Sequence, residues 1–242
     1  MRGCHKPPLD LVRFLAKTGF ITHDLWRRYF CTAQSSSWMR RLKKDFIRRG
    51  YVKAHPNRYY QSVYLLNTGG DVIRSMKLDP ASPPPIAQIE HDETLADGIL
   101  SLERSGLMSF WQTESELKKL GANDYRIETQ GQLIKYPDLL IYTREPLPNC
   151  ILAIELERTL KSRRRYIQLL GAYASMKRIN GLLYVAENPS IERTIREVMQ
   201  ETYFPVERLP VTFASADDWL RDAATVLSQA TTTVAASLKR AS

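Results

Sequence analysis

The chain has 242 residues, 43% hydrophobic and 25% charged, enough to bury one large core or two modest ones. No apolar run approaches the ~20 residues of a membrane span, and the opening Met1-Arg2-Gly3-Cys4-His5-Lys6 has no apolar stretch behind its charge, so it does not read as a signal peptide. Three scattered cysteines, Cys4, Cys31 and Cys150, form no Cys-x-x-Cys pair, which argues against a zinc site or disulfide framework and for a reducing cytoplasm. The net charge of +9 is uneven: residues 1–78 carry 16 Lys and Arg against 4 Asp and Glu, whereas residues 79–242 carry 19 against 22. A strongly basic front end on a near-neutral body points to a polyanion as the partner of the front end.

In chain order, a first helix is predicted from Leu9 to Lys17, with Leu11, Phe14 and Leu15 as its apolar stripe and Gly19 ending it. Thr22 can cap a short second helix carrying Leu25, Trp26 and Tyr29. The serines 35–37 can cap a third, from Trp38 to Arg49, in which Trp38, Leu42 and Phe46 face inward. Its other positions include Arg40, Arg41, Lys43, Lys44, Arg48 and Arg49. A hairpin follows, with His55-Pro56-Asn57-Arg58 between two strand-like runs, and a helix starting at Thr68 with Val72, Ile73 and Met76 closes the domain. This order over residues 8–78 resembles a winged helix-turn-helix, in which the third helix would read DNA and the loop around Arg58 would be the wing. A merely solvated basic face is the alternative.

Residues 79–86, Asp79-Pro80-Ala81-Ser82-Pro83-Pro84-Pro85-Ile86, read as a stiff proline-rich linker. A second domain is predicted over 87–214: a helix from Ala87 to Arg104 containing His91, then strands at Leu107 to Thr113, at Tyr136 to Tyr142 and at Ile151 to Glu157. A basic helix from Ser162 to Lys177 follows, then a strand at Gly181 to Ala186, a helix from Ser190 to Gln200 and a last strand at Val211 to Ala214. Residues 215–242 read as a peripheral helix and tail.

Two of these strands carry acids where a buried strand should be apolar. Side chains alternate across a strand, so Glu155 and Glu157 share a face, and Asp138 can join them if its strand is the neighbour. Three buried carboxylates repel one another unless a cation or a wet cleft compensates. Carboxylate oxygens in this number suit Mg²⁺ or Mn²⁺. The plainer alternative is a pair of strand-end charges bound to Arg158 or Lys161.

Pro137-Asp138 followed by Glu155-Leu156-Glu157 resembles the PD-(D/E)XK nuclease pattern, with Glu157 where that pattern has lysine. The resemblance implies an α/β (α+β) chain: a winged helix followed by a restriction-endonuclease-like αβββαβ core. With the winged helix, Ile154-Glu155-Leu156-Glu157-Arg158, Tyr166 and His91-Asp92, nearly the whole chain resembles the replication-relaxation proteins, most closely the MobC-type relaxases. That resemblance implies a metal-dependent enzyme, encoded on a bacterial plasmid or mobile element, that nicks DNA at a transfer origin. Accessory mobilisation and coupling proteins would be its further partners. On this reading Asp138, Glu155 and Glu157 hold the metal, Lys161 or Arg165 replaces the missing lysine, and His91 with Glu93 adds an outer contact. Arg163 and Arg165 would join Arg40, Arg41, Lys43, Lys44, Arg48 and Arg58 on the DNA. His91 could equally be a satisfied core histidine. Two other functions stay open: a DNA-binding replication or transfer regulator with an inactive nuclease-like domain, and a restriction or defence endonuclease.

Overall fold

The computed structural model describes residues 9–31, 36–57, 59, 62–67, 74–128, 134–144 and 146–241. It is a mixed α/β chain that divides into two compact units, Met1–Glu93 and Thr94–Ser242. None of the described helices is long and apolar enough to cross a membrane.

In the first unit, helix α1 (Leu9–Thr18) buries the expected Leu11, Phe14 and Leu15 together with Val12 and Ala16. Strand β1 (Phe20–Thr22) ends in the cap of the next helix: Leu25 N–H donates to Thr22 Oγ1 at 3.3 Å. Helix α2 (His23–Leu25) continues as a π-helical turn over Trp26–Phe30. Helix α3 (Ser36–Arg48) precedes the expected hairpin of β2 (Val52–Ala54) and β3 (Val63–Leu66). β1 adds antiparallel to β3, giving the order β1-β3-β2, a third strand too short to show any alternation in the sequence. The Trp26 ring stands edge-on to Phe46 and to Tyr64, 5.3 Å from each centroid.

Two expectations change here. The buried stripe of α3 is Met39 and Phe46, with Trp38 and Leu42 only half-buried. Phe46 stays in the stripe, so the face is turned by about 50°, half of one residue's step on a helix. The proline-rich segment is docked rather than a free linker: Ala81 is buried and its N–H donates to Ala16 O at 2.6 Å. Gly19, at φ +79, lies so close that a Cβ would stand 2.7 Å from Ser82 O. Arg58 and residues 68–73 of the predicted closing helix lie outside the described residues.

The second unit is built on a five-stranded sheet of order β10-β9-β8-β7-β4. Its strands are β4 (Met108–Thr113), β7 (Leu139–Thr143), β8 (Ile151–Glu157), β9 (Gly181–Ala186) and β10 (Val211–Ser215), and β7 alone runs against the others. A small ribbon of β5 (Ile127–Glu128) and β6 (Ile134–Lys135) lies between β4 and β7 in sequence. Helix α4 (Ile89–Ser105) leads into the unit, and α5 (Glu114–Leu120) follows β4. The sequence reading missed α5, although Thr113 and Glu116 form a capping box at its start.

Helices α6 (Arg163–Ser175) and α7 (Pro189–Glu201) cover the sheet face that carries Leu140, Ala153, Leu182 and Tyr184, through Tyr166, Leu169, Tyr173, Ile191 and Ile195. The last helix, α8 (Ala216–Ala241), is not peripheral. Trp219, Ala223, Leu227, Ala230 and Val234 are buried, and Val234 lies over Gly181 beside Leu152, on the opposite face. Its backbone leaves helical geometry at Asp222 (φ −154, ψ 71), where the carboxylate accepts from Thr225 N–H at 3.0 Å.

Candidate active site

Alternation along β8 sends Leu152, Ile154 and Leu156 to one face and Ala153, Glu155 and Glu157 to the other, the face covered by α6 and α7. Both glutamates are buried, at 0% and 1% exposure. β7 runs antiparallel to β8 with Leu139 opposite Ile154, so the residue before β7 arrives beside Glu155. That residue is Asp138. It sits in the bend after Pro137 rather than on the strand, because proline has no N–H to give to a ladder. Leu156 N–H donates to Asp138 Oδ2 at 2.9 Å.

The buried negative charge is met by two lysines. Lys135, at the end of β6, donates to Glu155 Oε2, and its ammonium lies 3.3 Å from Asp138 Oδ1. Lys161, in the turn before α6, donates to Glu157 Oε2. The Tyr173 hydroxyl donates to Glu155 Oε1, and the Tyr166 hydroxyl accepts from Lys161 N–H at 3.2 Å. Two buried polar atoms of this centre have no hydrogen-bond partner among the described residues: Glu157 Oε1 and the Tyr184 hydroxyl.

Electrostatics follow from this packing. Burial, then the neighbouring Asp138, pushes Glu155 up to about 7 against the pull of Lys135. Burial likewise raises Glu157, opposed by Lys161. Burial alone would lower Lys135, but Asp138 and Glu155 outweigh it and hold the ammonium charged above the ordinary lysine range. Burial and the nearby carboxylate of Glu155 keep Tyr173 and Tyr184 protonated.

Asp138, Glu155, Glu157 and Lys161 are therefore brought together as the sequence placed them. Lys135, Tyr173 and Tyr184 were not singled out as part of the centre. The signal for Lys135 was present: a cation three residues before the Pro-Asp acid. Among the described residues no three His, Cys, Asp or Glu side chains are placed to hold a metal ion, and ammonium groups stand against the carboxylates. The donors themselves, carboxylate oxygens with one of them orphaned, match what a hard divalent ion takes.

The remaining predicted residues are dispersed. His91 and Glu93 fall in the first unit, where His91 Nδ1 pairs with Asp92 at 2.9 Å and Thr22 Oγ1 donates to Glu93 at 2.6 Å. Arg163 is committed to Glu197 and Glu201 of α7, whereas Arg165 is half-buried on α6. On α3, Arg48 and Arg49 pair with Asp45, and Lys43 donates to His23 Nδ1 at 2.9 Å with its ammonium 5.2 Å from the Tyr64 ring centre. Burial and the Lys43 ammonium hold the His23 imidazole below its ordinary value, as an acceptor requires. Arg40, Arg41 and Lys44 are exposed and make no ion pair among the described residues. Comparison with known protein families, curated proteins and solved structures finds no match for the chain.

Proposed function

We propose that the chain is a metal-dependent DNA relaxase that nicks one strand at a plasmid transfer origin. Its first unit would be a winged helix that holds DNA and its second a restriction-endonuclease-like domain that cuts it. The order β1-β3-β2, with three helices interleaved among its strands, supports the first half of this reading, and the order β4-β7-β8-β9-β10 with only β7 reversed supports the second. The observation that carries it is the pairing of Asp138, in the bend before β7, with Glu155 of β8 through one ammonium, with Glu157 on the same face as Glu155.

Asp138, Glu155 and Glu157 are the residues that would hold Mg²⁺ or Mn²⁺, an ion that polarises a phosphoryl oxygen and lowers the pKa of a bound water. Glu157 Oε1, which has no hydrogen-bond partner among the described residues, would be the oxygen that takes a proton from an attacking water or orients it. Arg40, Arg41 and Lys44 would grip the phosphate backbone from the first unit. Accessory mobilisation and coupling proteins would act beside it.

One observation favours a second reading, a DNA-binding replication or transfer regulator with an inactive nuclease-like domain: both glutamates are already neutralised by lysines. Incubation with supercoiled plasmid carrying the cognate origin, with and without Mg²⁺, decides. Site-specific, Mg²⁺-dependent nicking supports the relaxase, binding without nicking supports the regulator, and origin-independent double-strand cleavage points to a defence endonuclease.

A further inference from the structure

The ammonium of Lys135 reaches two of the three carboxylates, while Lys161 serves the third. Once all three carboxylates are ionised, as a bound cation requires, the two ammoniums leave the centre with one negative charge. Adding a doubly charged ion beside both lysines would overshoot neutrality, whereas exchanging the Lys135 ammonium for that ion reaches it. Burying a net charge is the costly option, so exchange is the favoured one.

We propose that Lys135 and a divalent cation compete for the same carboxylates, the ammonium holding the ion-free site together and leaving when the ion binds. The inference rests on reading this centre as a metal site. Two further atoms point to a ligand beyond the lysines: Glu157 Oε1 and the Tyr184 hydroxyl are buried, lack hydrogen-bond partners among the described residues, and share one sheet face. Tyr184 stands opposite Glu155 in the β8–β9 register.

The side chain suits the task. Lysine is a compact charge on a flexible four-carbon stem, able to swing without moving the backbone that carries it. Here that backbone is β6, paired to β5 through Ile127 and Lys135. Once displaced, the ammonium is free to meet a phosphate oxygen. It thereby supplies the cation that Glu157, standing in the usual lysine position, cannot.

The test is Mn²⁺ binding to the full chain, read by the electron paramagnetic resonance of free Mn²⁺. Lys135→Met keeps the stem and removes the charge. It should bind Mn²⁺ about tenfold more tightly or better, as expected for deleting one competing charge at contact distance. Equal or weaker binding, or no binding by either protein, overturns the proposal. A second measurement needs no variant: acetylation of wild-type protein by acetic anhydride, followed by mass spectrometry. Adding Ca²⁺ or Mn²⁺ should raise labelling of Lys135 several-fold, and unchanged or reduced labelling overturns the proposal. Nicking is scored separately. Tighter Mn²⁺ binding by Lys135→Met with no nicking by wild type would remove the relaxase reading and keep the exchange. Mg²⁺-dependent nicking with unchanged Mn²⁺ affinity would do the reverse.

Discussion

The main-chain amide of Leu156 donates to Asp138 Oδ2 at 2.9 Å, fastening the aspartate to the strand between Glu155 and Glu157. One carboxylate oxygen is thus used for position, while the other faces Lys135 at 3.3 Å. Asp138→Asn retains an oxygen for the amide and loses the charge toward the cation. It is therefore a control that removes electrostatics and leaves the strand junction in place.

Glu157 decides between a working centre and a silent one. Glu157→Gln should lower origin nicking by on the order of 10²-fold, the usual effect of losing a general base, with duplex affinity unchanged. Glu157→Lys would set a second ammonium against Lys161, so it should lower the melting temperature and leave the centre no faster. Rates on supercoiled plasmid for both variants beside Asp138→Asn give the comparison. A wild type no faster than Asp138→Asn would eliminate the enzyme.

The salt dependence of DNA binding should separate free from committed cations. Replacing Arg40, Arg41 and Lys44 together by alanine should flatten the slope of log K against log salt by up to about 2.7, at about 0.9 per phosphate contact. Lys43→Ala should instead cost stability, because it removes the partner of His23 and the cation over Tyr64. Fluorescence anisotropy over a NaCl series, beside a thermal melt, distinguishes the two. An unaltered slope in the triple variant takes α3 off the DNA.

Stability without divalent ions should fall as pH rises. Glu155 is pushed from its ordinary 4.5 up to about 7 in the folded chain. Between those values the folded state binds more protons than the unfolded one, so the stabilisation is full below about 4.5 and gone above about 7. Urea unfolding in chelator across that window should show it, and Glu155→Gln should flatten the trend. Stability that rises with pH in wild type but not in the variant would contradict the assignment.

Two glycines should respond in opposite directions to alanine. At Gly98 in α4 a Cβ would stand 2.1 Å from the Trp219 ring, so Gly98→Ala should destabilise by at least the ~1–3 kcal/mol of an overpacked core. At Gly171 in α6 nothing lies within 4 Å, and Gly171→Ala should stabilise by roughly 0.5–1 kcal/mol through helix propensity. Chemical denaturation of both variants checks the pair.

The acids were legible because strand alternation is a strong local rule: Glu155-Leu156-Glu157 fixed two carboxylates to one face before any pairing was known. Pro137-Asp138 showed where the third enters. Lys135 escaped because it ends a two-residue strand, too short to give a period; its place three residues before Asp138 was the one cue, and the register of Leu139 with Ile154 gives it its role. Tyr173 and Tyr184 fall inside the predicted helix and strand, while the sequence says nothing of where their hydroxyls end. The same limit hid β1, three residues long, and the depth of α8, whose Ala- and Thr-rich stretch looks too mild for a core helix. The expected linker failed for another reason: proline content describes stiffness, not whether a segment finds a surface.

The notch at Gly98 ties two distant stretches of the chain together. It receives Trp219 of α8, and the Trp219 indole N–H donates to Thr94 O at 3.0 Å, so α4 is completed by a helix more than a hundred residues further on. The same helix covers the Leu152 face of the sheet, with Val234 over Gly181. A fragment cut before α8 would keep every named side chain of the acid centre, which lies on the other face. Its apolar back and the Gly98 notch would stand open, so such a fragment should carry its chemistry assembled and still aggregate or be captured by chaperones.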